Sequence, residues 1–460
     1  EPSERGTFTL ATVADRCAGL TLDKTEQRSD WSGPLTDAQL RYATLDAAVL
    51  LPLAERLQAE LHAARLERVA DIEMRALPAL AWLTHTGAPF DADRWLALSN
   101  AAVAERLTLG DDLTKAAGTG DMFEHSTINW DSPAQVAALL RARGHDVPRA
   151  DEATLTALAA AEPLAPLLLR YRDASKRAGT YGITFLEHVT ETTGRIHADY
   201  RQLGAASGRM ACTRPNLQNI PRDPAYRACF RPAPGRVLIK ADYSQIELRL
   251  AAQISSDAAL RSAFARGDDL HARTAAAVLS KAADAVTKDE RQLAKALNFG
   301  LTFGMGATAL REYVTGYGVT LSQPEAVRFR DAFFRAYPGL RAWHEREGRG
   351  KDTETRTLTG RRRLGVEKFT ERLNSPVQGS GADVLKLALA RLWEDRAAQP
   401  AAAPVLCVHD EIVIECDAGE AEAVAAWLRG HMEAAGAELV PDVPIACDVT
   451  IAQDWAGSPL

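Results

Sequence analysis

Apolar positions along the chain keep two different rhythms. From 94 to 194, alanine and leucine recur at helical spacing. Two polar breaks, Gly118-Thr119-Gly120 and Asn129-Trp130-Asp131-Ser132-Pro133, divide that run. The second break predicts a helix over 134–140, with Ser132 as N-cap and Pro133 in the first helical position. Residues up to about 66 read as mixed and then helical. Elsewhere the apolar runs are short. Arg236–Ala241, behind Pro234-Gly235, predicts a strand, and Gln245–Ile254 then predicts a helix. Val405–Val408, His409-Asp410 and Glu411–Glu415 read as strand, tight turn and strand. Asp242 and Asp410 therefore both fall at strand ends, where rigid backbone can bring them together. The long stretch between them leaves room for an inserted subdomain.

Composition narrows the class. A chain of 460 residues exceeds one compact core, so two or more domains are expected. Apolar content of 46% and charged content of 25% are ordinary for a globular protein. A net charge of −7 argues weakly against a nucleic-acid binder, but the bulk value hides local sign. From Arg201 to Lys240 the cations outnumber the acids, and Arg361-Arg362-Arg363 forms a second cluster, which is compatible with backbone-tracking DNA contacts. Six scattered cysteines without a Cys-x-x-Cys pair predict reduced thiols rather than a zinc site or disulfide framework. No apolar run approaches the ~18 residues of a membrane span, and no signal peptide is read. The chain starts at Glu1, which leaves an upstream targeting segment open.

The chemistry-bearing residues lie between and around the two aspartates. Arg291, Lys295, Phe299 and Phe303 are each four apart, so they line one slowly winding helix face. The two cations come first, near the helix N-terminus, where the dipole also favours anions. Two carboxylates flanking a basic helix suit an enzyme that holds two metal ions against a triphosphate.

Three strings carry a family resemblance: Lys240-Ala241-Asp242-Tyr243-Ser244-Gln245-Ile246-Glu247-Leu248-Arg249, the Arg291–Gly300 stretch, and Val408-His409-Asp410-Glu411-Ile412-Val413. They resemble the DNA polymerase I family, called family A, and stand in that family's order. The resemblance spans roughly 67–460, to Val443-Pro444 and Asp454-Trp455. It implies an α+β right-hand polymerase fold, with an antiparallel-sheet palm and helical fingers and thumb. By that resemblance, 67–93 leads into the palm, 94–194 forms the thumb, 195–255 and 351–460 the palm, and 256–350 the fingers. The implied reaction is template-directed addition of deoxynucleotides to a primer 3′ end. The implied cofactor is a pair of Mg²⁺ ions, with Mn²⁺ as a substitute, and the partners are primer-template DNA and deoxynucleoside triphosphates. A monomer in the cytoplasm, without membrane contact, is expected.

The resemblance also distributes roles. Asp242, Asp410 and the carbonyl of Tyr243 would hold metal, with Glu411 in support. Arg291, Lys295 and His271 would meet the triphosphate, and Phe299 would stack on the incoming sugar and base. Gln245, Ile246, Glu247 and Phe303 would complete the nucleotide pocket. Glu247 would act as a steric gate in the space a ribose 2′-hydroxyl needs. Relatives commonly carry Tyr at the Phe303 position to hydrogen-bond this Glu, so looser sugar selection is expected here. Arg209, Arg249, Asn374, Gln378 and His409 would contact DNA, largely through minor-groove acceptors common to every correct pair. Cys407 stands where relatives usually have Gln, and Thr357–Arg363 would touch template backbone.

The N-terminal stretch Leu22–Trp31, with Tyr42 and Asp46, resembles the end of a ribonuclease D-like 3′–5′ exonuclease domain. The family's other metal carboxylates are missing, so residues 1–66 are expected to be an inactive remnant. Two rivals stay open: a single-subunit phage-type RNA polymerase, against which Glu247 and Phe299 speak, and a catalytically idle DNA-binding scaffold.

Overall fold

Both aspartates ride on a four-stranded antiparallel sheet. The computed structural model describes residues 8–118, 128–316, 319–350 and 352–460, so Thr119 and Gly120 of the first predicted break lie outside the described residues. Arg236–Tyr243 pairs with Cys447–Ala452 on one side and Glu411–Asp417 on the other, and Ala403–Val408 closes the far edge. Strand periodicity sends alternate side chains to opposite faces. Val237, Ile239, Ala241, Ile412 and Ile414 pack on the helices Glu67–Thr86, Phe369–Glu394 and Ala421–Leu439. Leu238 and Val413 pack on an aromatic cluster of Trp95, Tyr181, Phe185, Tyr226, Phe230 and Trp455. With apolar layers on both faces, the strands read as runs rather than as alternation. Asp242, in phase with Leu238 and Lys240, and Glu411, in phase with Val413, belong to the aromatic face.

The predicted local elements form. The strand extends to Arg236–Tyr243, and the following helix runs Ile246–Ser255. Gln245 precedes that helix in a left-handed conformation, φ 53°, and turns the chain sharply off the strand end. The second polar break behaves as expected: the helix is Pro133–Ala142, and Ser132 Oγ accepts from the Gln135 amide. This helix shares a separate core with Ala92–Ala117 and Leu164–Gly179, built from Leu109, Leu113, Val136, Leu140 and Leu168.

Between Ile246 and Arg349 the described chain is helical. The helix Lys288–Thr302 opens with a capping box, in which Thr287 Oγ1 accepts from the Glu290 amide and Glu290 accepts from the Thr287 amide. Asp257 is fully buried and serves two helices. Its Oδ1 accepts from Leu260 N at 2.9 Å, and its Oδ2 accepts from Gly339 N at 2.7 Å and Leu340 N at 3.2 Å. The helices Ala258–Arg266 and Pro338–Arg349 thus share one cap.

The N-terminal helices Leu10–Ala18, Asp37–Ala48 and Leu50–Ala64 are less well covered. Leu40, Leu45, Leu50 and Leu51 are all exposed there. No described helix is long and apolar enough to cross a membrane.

Candidate active site

The sheet register builds the acidic centre. Asp242 stands opposite Glu411 on one neighbouring strand and Asp448 on the other, and opposed residues of antiparallel strands share a face. Asp410 occupies the turn before Glu411, and its carbonyl accepts from the Tyr243 amide at 3.3 Å. His409 turns the chain there with φ 57°. No lysine or arginine among the described residues forms an ion pair with Asp242 or Asp410. Burial and the neighbouring Asp410 push the Asp242 carboxyl up to about 7. Burial raises Asp410 as well. Glu411 differs: its Oε1 accepts from Trp455 Nε1 at 2.5 Å, which holds it into the aromatic cluster. Tyr243 points to the opposite face, where its buried hydroxyl donates to Met432 O at 2.8 Å.

A cavity of about 370 Å³ opens beside this centre. It is lined by Asp242, Tyr243, Ser244, Gln245, Ile246, Glu247, His271, Arg291, Lys295, Phe299, Asp410 and Asp448. Five regions of sequence therefore meet in one place. Arg291, Lys295 and Phe299 project from the single helix Lys288–Thr302. Arg291 Nε is held by Asp269 Oδ2 at 2.6 Å. His271 is buried, and burial with Arg291 lowers its pKa to about 4, so the ring is neutral near pH 7. Asp448 was not found by sequence reading; Ser244 Oγ donates to its Oδ2 at 2.6 Å. Phe303 sits at the C-cap of the same helix, outside the cavity lining, because the helix ends at Thr302.

The expected DNA-contacting residues divide. Arg209 and His409 line a small recess with Gln218. Asn374 and Gln378 are half-buried one turn apart on Phe369–Glu394. Arg209 Nη2 also pairs with Glu247 Oε1 at 2.8 Å, so the expected gate is held by a cation. The turn carrying Arg209 is held from below: the fully buried Lys386 Nζ donates to Gly208 O at 2.8 Å and pairs with Glu73 at 2.6 Å.

Other arginines depart from expectation. Arg249 donates to the carbonyls of Ser244 and Pro444 and lies over the Phe264 ring at 4.6 Å; its donors serve backbone instead of facing DNA. Arg361 is buried and pairs with Asp383 at 2.6 Å and with Glu73, while Arg362 pairs with Glu354 at 2.5 Å. The triple-arginine string is thus largely neutralised internally. Cys407 is buried in the core, and its backbone amide, not its side chain, faces the Tyr200 hydroxyl.

In the N-terminal segment, Tyr42 and Asp46 share the helix Asp37–Ala48, as the spacing predicts. Lys24 Nζ lies 2.8 Å from both Asp46 oxygens and over the Tyr42 ring at 5.1 Å. The Asp71-Ile72-Glu73 string lies on another helix, where Glu73 is committed to Arg361 and Lys386.

The family model for DNA polymerase family A matches residues 103–457, over three quarters of the chain's span. The chain belongs to DNA polymerase family A. A 3′–5′ exonuclease model matches residues 3–62. DNA polymerase I of Aquifex aeolicus is 35% identical over 96% of this chain and 80% of its own length. DNA polymerase I of Pseudomonas aeruginosa is 34% identical over 90% of this chain, which covers 47% of that protein. The chain thus spans about half the length of some family A relatives and most of others. Among solved structures, the POL domain of Pol1 from M. smegmatis, in complex with DNA primer-template and dNTP, superposes with a TM-score of 0.83. It is 28% identical, and the match covers all of this chain and 80% of that one. Family A membership gives the acidic sheet centre and basic helix their setting, a right-hand polymerase fold.

Proposed function

We propose that the chain adds deoxynucleotides to a primer 3′ end under the direction of a DNA template, releasing pyrophosphate. The observation that carries this reading is the single cavity lined by Asp242, Asp410, Arg291, Lys295 and Phe299. Its donor set fits hard divalent cations: two carboxylates and the Tyr243 carbonyl, all oxygen, with neither carboxylate ion-paired to a lysine or arginine among the described residues. Among the described residues no ready-made cluster of three or more His, Cys, Asp or Glu side chains is gathered. Such a sparse set suits ions completed by substrate oxygens and water. Two Mg²⁺ ions bound there, or Mn²⁺ in their place, would activate the primer hydroxyl and stabilise the leaving pyrophosphate.

The chain's own residues do the rest. Arg291 and Lys295 neutralise the triphosphate, and Arg291 exchanges Asp269 for phosphate as it does so. Phe299 presents a face for base and sugar. Glu247, held by Arg209, fills the space a 2′-hydroxyl would take, and so favours deoxynucleotides. Arg209, Gln218, Asn374, Gln378 and His409 form the polar wall at which the terminal base pair is felt. We assign 67–93, 195–255 and 351–460 to the palm, 94–194 to the thumb and 256–350 to the fingers. The bacterial relatives support a cytoplasmic place in replication or repair. Residues 1–66 are assigned as an exonuclease remnant without proofreading in this chain.

The test is extension of a labelled primer on a DNA template with Mg²⁺ and dNTPs, beside Asp410→Asn. Extension by the parent alone is expected. DNA binding without extension by either protein would replace the reading with that of a scaffold.

A further inference from the structure

His271 has two ring nitrogens in two different environments. Nδ1 lies 2.8 Å from the buried Asn298 Nδ2. The other oxygen-bearing end of that amide is engaged: Thr274 Oγ1 donates to Asn298 Oδ1 at 2.9 Å, and Tyr337 OH meets Thr274 Oγ1 at 2.7 Å. Thr274, Asn298 and Tyr337 are all buried, and they tie three helices together. Nε2 has no protein partner among the described residues, and the ring lines the 370 Å³ cavity.

The contact at Nδ1 has a direction. Thr274 Oγ1 lies 2.8 Å from Leu270 O as well as 2.9 Å from Asn298 Oδ1, so its one proton is shared between two acceptors; the Asn298 amide nitrogen, which can only donate, is the atom turned to His271 Nδ1. An Nδ1 that accepts cannot carry a proton, so the ring proton must sit on Nε2. We propose that Asn298 is a positioning residue that holds His271 as the neutral Nε2–H tautomer, giving the cavity a hydrogen-bond donor without a charge. The inference rests on reading that cavity as the triphosphate site.

Neutrality has a use here. Arg291 and Lys295 already face the ring from Lys288–Thr302, and Asp269 faces it from the N-cap of its own helix, paired to Arg291. A third cation would have to form in a buried place beside two others. A neutral donor adds direction to phosphate binding without that cost, and it can release the product without changing protonation. Low pKa alone would keep the ring neutral yet leave its tautomer undecided; Asn298 decides it.

The experiment is ¹⁵N NMR of the enzyme labelled at histidine, with the His271 signal identified by its loss in His271→Gln. In the parent, the proton is expected on Nε2, with Nδ1 bare, unchanged between pH 8 and pH 5.5. Addition of dTTP without primer should shift the Nε2 resonance. Asn298→Asp should draw a proton onto Nδ1, and Asn298→Leu should release the tautomer. In kinetics, Asn298→Leu should raise KM for dNTP about tenfold, the loss of one hydrogen bond to a charged group. It should add less than about twofold when placed on His271→Gln, since both then act through one ring. A proton found on Nδ1 in the parent overturns the proposal whatever the variants do. So do additive effects on KM, which mark Asn298 as merely structural. Primer extension run on the same samples separates these outcomes: an Nε2–H ring in a protein that neither extends primer nor responds to dTTP would overturn the polymerase reading and the donor role while leaving the tautomer lock.

Discussion

Asp46 and Asp242 are both half-buried carboxylates placed by regular secondary structure, yet their surroundings are opposite. Asp46 has a cation from its own chain, Lys24, against both oxygens, and that contact raises the lysine pKa. Asp242 has another carboxylate beside it and two more acids in register across the sheet. The first is a closed account: its charge is balanced inside the fold. The second is left open, at a cost in stability, because no ion pair from a described lysine or arginine reaches it. A carboxylate pair that folding leaves uncompensated is where an added cation would gain most.

Substitutions at the two sites test this contrast. Asp410→Asn should lower extension on the order of 10³-fold. It should also raise thermal stability in EDTA by about 1–3 kcal/mol, because it removes a buried like-charge repulsion. Calorimetry showing a lower unfolding midpoint would break the contrast. Lys295→Ala should reduce kcat/KM for dNTP about a hundredfold, read by steady-state extension at varied dNTP, with stability little changed.

His271 gives a pH test between these extremes. Its pKa falls from the ordinary 6.5 to about 4 on folding. Below 6.5 the unfolded chain takes up a proton that the folded ring refuses, so this stabilisation is complete above pH 6.5 and is lost as pH falls toward 4. Unfolding midpoints measured from pH 7 to pH 4 should fall less steeply in His271→Gln than in the parent. The smallest effect is at the first site. Lys24→Met should cost less than about 1 kcal/mol and leave primer extension within about twofold, since the pair is partly solvated and remote from the sheet. A large fall in extension would mean that the N-terminal segment takes part in polymerisation.

The local half of this architecture was legible in the sequence. Pro234-Gly235 and the apolar run after it announce the central strand, and the four-residue spacing of Arg291, Lys295 and Phe299 announces the helix that lines the cavity. Each of those signals is contained within a dozen residues of sequence. Phe303 shows where spacing stops helping, since the helix ends one residue before it. What remained hidden depends on register and on packing over long separations. Asp448 joins the site only because Cys447–Ala452 pairs with Arg236–Tyr243 in a given register. The Arg209–Glu247 pair likewise joins a turn to the helix Ile246–Ser255 across a long separation, and Arg249 on that helix reaches the distant Pro444 carbonyl. An arginine's sequence neighbourhood does not say whether its donors end on a phosphate, a carboxylate or a backbone carbonyl.

Asp257, which closes the amino ends of two helices with one side chain, has a mechanical meaning. Ala258–Arg266 and Pro338–Arg349 open and close the helical insertion in the sequence, so both its ends are pinned to the same carboxylate. A Cβ at Gly339 would lie 2.5 Å from the Asp257 Cα, which leaves the joint no slack. The first and last helices of the insertion are thereby locked to each other, and parting them requires three backbone hydrogen bonds to one carboxylate to break together.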